Sequence, residues 1–260
     1  MLECVVNVSE GRHQLIIDAL ADAVGKDLLD IHSDPDHNRS VFTMVGEDAP
    51  RHLTEAALSL MSIVDHDGVH PRLGMIDVVP FVPLRHSTMD DALAARDSFA
   101  QWAARELQIP CFLYGPERSL PDIRKHAWTQ LMPDVGGTVP HDTAGAICVG
   151  AREPLIAYNV WLRNVDLQET RRIASLLRSE SVRTLGLQVG RYTQVSMNLI
   201  APNIVSPADV VDAVKQHIDI DRTELVGLLP EEVLMSIAQT RWEELDLALD
   251  RTIEWRLEHR

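Results

Sequence analysis

The feature that most constrains this chain is an order of hydrophobic periodicities that runs through once and then begins again. Period-two alternation at "ECVVNVS" gives way to helical spacing over "RHQLIIDALADAVG", to strand patterns at "DLLDIHS" and "RSVFTMVG", to a helix over "PRHLTEAALSLMSIVDH", and to the strand "MIDVVPFVPL". The turn composition "DPDHN" separates the two middle strands, and Leu53, Ala56, Ala57, Leu60 and Val64 give the second helix an apolar stripe. A helix over residues 89–108, a short strand "CFLYG" and a proline-interrupted helix from Ser119 extend this first pass. A loop rich in glycine and proline, "PDVGGTVPHDTAG", interrupts it. The strand "PLIAYNVWL" then opens a second pass, with a helix over "DLQETRRIASLLRSE" capped by Asp166, strands "VRTLGLQVG" and "YTQVSMNLIA", a helix starting at "SPAD" and a strand "TELVGLL". The tail from Glu231 reads as helical and charged.

Two passes of βαββαβ predict an α+β chain of two tandem ferredoxin-like subdomains, residues 1–151 and 152–260. The expectation is of mixed sheets, with helices on one face and a ligand cleft between the subdomains. The net charge, 24 − 39 = −15, argues against nucleic acid or an anionic membrane as a partner, because both repel such a field. Any anionic ligand therefore needs a local basic pocket. Cys4, Cys111 and Cys148 are scattered without metal-ligand spacing, so they read as buried packing groups in a reducing compartment. The start "MLECVVNVSEG" has no basic leader, and no apolar run approaches the ~18 residues of a membrane span, which together predict a cytoplasmic protein.

The stretch "HDGVHPRLGMIDVVPF" concentrates chemistry. Asp67-Gly68 is a turn signal, and Pro71 drives His70 out of the α region into an extended conformation. Histidine can take and give a proton near neutrality, and Arg72 stands two residues on. As pattern alone, His70 reads first as a histidine of a loop. His66 and His70 have the i, i+4 spacing of a metal pair, but Gly68 and Pro71 break the helix that would align them. In "DIHSDPDHN" the residues His32, Asp34, Asp36 and His37 have the composition of a solvated turn. The loop from Gly136 to Gly145 lacks the Lys and Ser/Thr of a phosphate-binding P-loop, and its glycines would let backbone approach a flat ligand.

The blocks "LECVVNVSEG", "HNRSVFTMVG", "VHPRLGMIDVVPFVPL", "IPCFLYG", "VGAREPLIAYNVWL", "TQVSMNL" and "ELVGLLP", in this order, resemble the glutamate formiminotransferase family. The resemblance implies transfer of a formimino group from N-formimino-L-glutamate to N5 of the co-substrate tetrahydrofolate, in histidine degradation, by a two-subdomain homodimer without metal. It implies that His70 is the catalytic acid/base. It also places folate binding on Gly136, Gly137, Thr138, Val139, Pro140, His141, Asp142, Thr143, Ala144 and Gly145. Arg39, Arg72 and Arg85 stand in or beside these blocks as candidates for holding carboxylates, and Asn38, Asn159 and Asn198 as candidates for bonding substrate or pterin. Two departures stand out. Val69 replaces the acid common before the family's histidine, which predicts a His70 no more basic than a free imidazole, and the folate segment lacks the tryptophan of the vertebrate members. Formyl transfer at the same site, a folate-binding protein without activity, and a metal hydrolase using His66 and His70 are the rival readings.

Overall fold

In the computed structural model, which describes residues 1–64, 66–68 and 72–260, the chain divides into two units, Met1–Glu153 and Pro154–Arg260. The first contains β1 (Leu2–Val8), α1 (Gln14–Val24), β2 (Leu28–Asp34), β3 (Arg39–Val45), α2 (Ala49–Leu60), β4 (Ile76–Pro83), α3 (Met89–Glu106), β5 (Cys111–Tyr114), α4 (Leu120–His126) and β6 (Ile147–Ala151). Its six-stranded sheet has the order β2-β3-β1-β4-β6-β5. The pairs among the first four are antiparallel, whereas β4–β6 and β6–β5 are parallel, so the sheet is mixed as expected.

Alternation along the strands sorts the core. Cys4, Val6 and Val8 of β1, Phe42 and Met44 of β3, and Phe81 of β4 pack with Leu20, Leu53 and Phe99 of α1, α2 and α3. Each such large side chain contributes roughly 1.5–3 kcal/mol on burial. Phe112 and Tyr114 alternate with Cys111 to the other face, where Val78 and Cys148 join them under Ile123 of α4. Helices therefore cover both faces of this sheet, not one. Periodicity does not announce strand β6, because all of its residues are buried, which erases the alternation that marks a half-buried strand. The helix expected to reach residue 66 ends at Leu60, and Val64 is exposed. The chain leaves the helix there because Ile63 N–H donates to the Thr143 carbonyl at 2.7 Å, a tertiary bond that periodicity does not report.

The second unit contains β7 (Ile156–Leu162), α5 (Leu167–Leu177), β8 (Val182–Val189), β9 (Tyr192–Leu199), α6 (Pro207–Lys215) and β10 (Arg222–Val226). Its sheet has the order β10-β7-β9-β8 and is antiparallel throughout, which corrects the expectation of a second mixed sheet. Asp166 accepts from Glu169 N–H at the start of α5, and Ser206 with Asp209 forms a capping box on α6, each cap stabilising its helix by about 1 kcal/mol. Tyr158, Val160, Leu162, Val195 and Met197 face Ile173, Val210 and Val214 in the core. The tail forms short helices, α7 (Glu231–Ser236) and α8 (Ile253–Glu258), joined by 3-10 turns, and Tyr158 Oη donates to the Leu245 carbonyl at 2.7 Å. No helix among the described residues is long and apolar enough to cross a membrane.

Candidate functional site

Strand direction gathers polar segments at one end of the first sheet. Because β1 is antiparallel to β3 and β4, its C-terminal end lies beside the starts of both, and the parallel pairs bring the starts of β6 and β5 to the same end. Asp77, buried near the start of β4, is the pivot. Its carboxylate accepts from Leu73 N–H at 2.7 Å, from Arg124 Nη1 at 2.8 Å and from Arg124 Nη2. The guanidinium of the half-buried Arg39 is pulled down to about 10 by its burial, opposed by Asp77 and reinforced by the like charges of Arg124 and Arg72. It stays protonated at neutral pH. Arg39, Arg72 and Arg124 thus carry three positive charges around the buried Asp77, with the exposed Asp67 also acting on Arg72. That surplus attracts anions although the whole chain is strongly acidic.

Asn38 ties the turn before β3 to this end. It holds φ of 47°, a left-handed conformation that asparagine tolerates, and is buried. Its Oδ1 accepts from Gly11 N–H at 3.0 Å, and its Nδ2 donates to the Asp67 carbonyl at 2.8 Å. Its own carbonyl lies 2.9 Å from His66 Nε2. A carbonyl only accepts, so Nε2 carries the proton and Nδ1 offers its lone pair to Arg72 Nη1. Burial lowers the His66 pKa and Arg72 adds to that, against the bonds to backbone carbonyls. His66 is a neutral ring with both nitrogens engaged. It fastens Arg72, whose Nη2 also donates to the Gly68 carbonyl at 2.6 Å.

Glu10 does a similar job after β1. Burial alone would raise its carboxyl, but the N–H groups of His13 and Arg12 and the His13 ring hold it below the usual range. It thereby caps the start of α1, where His13 offers no side-chain cap.

The Gly136–Gly145 loop reaches the same end. Met75 N–H donates to the Ala144 carbonyl and Ala146 N–H to the Leu73 carbonyl, each at 3.0 Å, and Gly74 bridges Gly145. The approach is so close that a Cβ on Gly74 would stand 2.3 Å from Ala146 O. One on Gly145, which has φ of +73°, would stand 2.3 Å from Leu73 O. Gly136, Gly137, Thr138, Val139, Pro140, Asp142 and Thr143 are exposed, His141 is half-buried, and Ala144 and Gly145 are buried. His141 Nδ1 accepts from Ala144 N–H at 3.1 Å, which fixes the return of the loop.

The structure therefore brings Asn38, Arg39, Arg72 and the Gly136–Gly145 loop to one end of one sheet. Arg85 is not with them: it follows the far end of β4 and is exposed. His70 and Val69 lie outside the described residues, and with His70 goes one half of the rival His66–His70 metal pair, whose other half, His66, has both ring nitrogens engaged by Asn38 and Arg72. Asp34 accepts from the N–H groups of Asp36 and His37 at 2.8 Å, the geometry of an ordinary turn. Asn159 donates to Glu224 at 2.9 Å, Asn198 is exposed on β9, and all three cysteines are buried. Sequence reasoning missed Asp77 and Arg124. An acid inside the apolar run "MIDVVPF" was the available signal, since a carboxylate is seldom buried without a cation.

Residues 1–152 match the family model described as formiminotransferase domain, N-terminal subdomain. Over 92% of its length the chain is 34% identical to the glutamate formimidoyltransferase of Streptococcus pyogenes serotype M1, covering 92% of that protein. It is 32% identical to the glutamate formimidoyltransferase of Thermoplasma acidophilum, covering 91% of it. It is also 33% identical to the formimidoyltransferase-cyclodeaminase of Rattus norvegicus, of whose length it spans about half, 52%.

Proposed function

The chain belongs to the formiminotransferase family, and from that premise we infer that it is a glutamate formiminotransferase, moving the formimino group from N-formimino-L-glutamate to N5 of tetrahydrofolate. The observation that carries this is end-to-end similarity to the two glutamate formimidoyltransferases, each covered over nine-tenths of its length. The hydrogen-bonded seam between the Gly136–Gly145 loop and residues 73–75 supports it, because it holds the proposed folate segment against the chain that follows His70.

In this reading N5 of the folate attacks the formimino carbon, and the C–N bond it forms gives a tetrahedral adduct. His70 takes the proton from N5 and passes it to the glutamate nitrogen. The bond from that nitrogen to carbon then breaks, releasing L-glutamate and leaving 5-formiminotetrahydrofolate. Arg39 and Arg72 hold the glutamate carboxylates, with Asn38 shaping the turn that presents Arg39. Arg85 has no part in this set. Orientation by these groups supplies much of the rate by making the reaction effectively unimolecular.

The proposal extends to the architecture and setting. Both units are ferredoxin-like, a reading supported by the strand orders β2-β3-β1-β4 and β10-β7-β9-β8 with antiparallel neighbours. The second unit, Pro154–Arg260, is the formiminotransferase C-terminal subdomain, and the protein works as a cytoplasmic homodimer. The test is turnover of N-formimino-L-glutamate with tetrahydrofolate, run beside N-formyl-L-glutamate. Glutamate release that depends on tetrahydrofolate and on the formimino donor is expected. Release from neither donor, or from the formyl compound alone, contradicts the assignment.

A further inference from the structure

Arg72 is held by bonds of which a proton can break one. Its Nη2 donates to the Gly68 carbonyl at 2.6 Å, and its Nη1 donates to the His66 carbonyl at 3.4 Å and to His66 Nδ1. The two carbonyl oxygens keep their lone pairs at any pH. The imidazole nitrogen keeps its lone pair only while the ring is neutral. The opposite nitrogen fixes the ring itself, because Nε2–H donates to the carbonyl of Asn38, which is buried and bonded to Gly11 and Asp67. Bonds thus run from the turn before β3 through His66 to Arg72. The charges that act on the ring are of both signs. Burial lowers its pKa and Arg72 adds to that, while Glu10 after β1 and the bonds to backbone carbonyls pull the other way. Arg72 in turn feels Asp77 and Asp67 against Arg124 and Arg12.

We propose that His66 is a positioning residue for glutamate binding: its neutral ring aims Arg72 at a substrate carboxylate, and proton uptake at Nδ1 releases Arg72 and weakens the hold on the dicarboxylate. The inference rests on the glutamate formiminotransferase reading above, in which Arg72 binds glutamate, and adds what governs that binding. The step is a proton transfer alone. Nδ1 takes a proton from solvent, its lone pair becomes an N–H bond, and Arg72 Nη1 then faces a donor and a second positive charge where it had an acceptor. Arg72 keeps its charge but loses its orientation, and a guanidinium owes much of its grip on a carboxylate to a fixed fork. The sign of the effect separates His66 from its surroundings. Glutamate carboxylates stay ionised above about pH 5, so the ligand itself does not change. A proton on His70, or on another histidine of this sheet end, would add positive charge and draw the dicarboxylate in. Weaker binding in mild acid is therefore the mark of the ring that holds Arg72.

The test is the inhibition constant of L-glutamate against N-formimino-L-glutamate, measured on the full chain at saturating tetrahydrofolate from about pH 8 down to about pH 5.5. In the wild type glutamate should bind about tenfold more weakly at the acid end, the scale of losing a hydrogen bond to a charged group. His66→Gln offers an acceptor and a donor that do not titrate, so its inhibition constant should stay level in acid. His66→Leu removes both bonds and should weaken glutamate about tenfold at every pH, with a smaller change in the KM for tetrahydrofolate. Proton–nitrogen NMR of the imidazole rings reads the same event without turnover: His66 should carry its proton on Nε2 and titrate below a free imidazole. Wild-type inhibition that is level or tighter in acid, the same acid weakening in His66→Gln, or wild-type inhibition in His66→Leu would each overturn the inference. So would a His66 proton on Nδ1 at neutral pH. If His66→Leu does not fold, wild type against His66→Gln decides. A wild type without tetrahydrofolate-dependent turnover would instead remove the functional reading, and the NMR titration would still report whether His66 is the neutral acceptor for Arg72.

Discussion

The two sheets share an order of elements but part company at one edge, and that edge decides where the proposed folate loop lies. In the first unit β6 and β5 are added in parallel beyond β4, so the loop that enters β6 emerges beside the entry to β4. In the second unit β10 ends the sheet, and the following chain turns into the tail helices. The carboxylates of the two units, buried Asp77 and half-buried Glu224, differ in the same way. Asp77 answers to guanidinium groups, whereas Glu224 accepts from the neutral donors Asn159 and Trp161 at 2.9 and 2.8 Å. The first arrangement gathers cations suited to anions, and the second holds a carboxylate by neutral donors. An added parallel pair, not the repeated βαββαβ core, is what brings the proposed folate loop beside the entry to β4.

The sharpest way to break this comparison is to truncate the two carboxylates. Asp77→Ala strands Arg124 and the Leu73 N–H, and it should cost about 3–5 kcal/mol, the range for breaking a buried ion pair. Glu224→Ala leaves two neutral donors and should cost less, about 1–3 kcal/mol. Urea unfolding followed by tryptophan fluorescence reads both, and equal losses would erase the electrostatic distinction.

Removing the proposed acid/base comes next in size. His70→Ala should fold normally but turn over about a hundredfold more slowly or worse. Wild-type activity should rise with pH through a midpoint no higher than that of a free histidine, because Val69 supplies no carboxylate. A variant of near wild-type rate, or a rate flat from about pH 5 to about pH 8, contradicts the role.

The smallest effect belongs to His66, whose folded pKa is lowered by burial and by Arg72. Above about pH 6.5 the ring is neutral in both states and contributes no pH dependence. As the pH falls below that, the unfolded chain binds a proton that the folded one declines, so stability is lost until the folded pKa is passed. Thermal melts of the wild type should weaken over that interval more than those of His66→Gln. Parallel curves would show that His66 is not held neutral.

Most of the strand and helix order was legible, because half-buried elements keep their period: β1, β3 and α3 fall where alternation and stripe put them. What escaped was set by contacts distant in sequence. Strand β6 is buried on both faces and shows no alternation, and α2 stops early because Ile63 is claimed by Thr143. In the site, Asn38, Arg39 and Arg72 could be nominated from motif blocks. Arg124 could not, since nothing in "DIRKHAW" announces that α4 turns it onto Asp77. Arg85 shows the converse failure: it stands close to the motif in sequence, but an eight-residue strand carries it to the opposite end of the sheet.

The central claim is that the end of the first sheet formed by the Gly136–Gly145 loop and the entry to β4 receives tetrahydrofolate. Amide hydrogen exchange with and without 5-formyltetrahydrofolate tests it directly, because residues 136–140 of the loop are exposed and their amides should exchange readily in the free protein. Bound ligand should slow exchange across residues 136–145 and in the segment entering β4, and leave the amides around α8 unchanged. Saturating ligand with unaltered exchange in the loop, and protection elsewhere, would contradict the account.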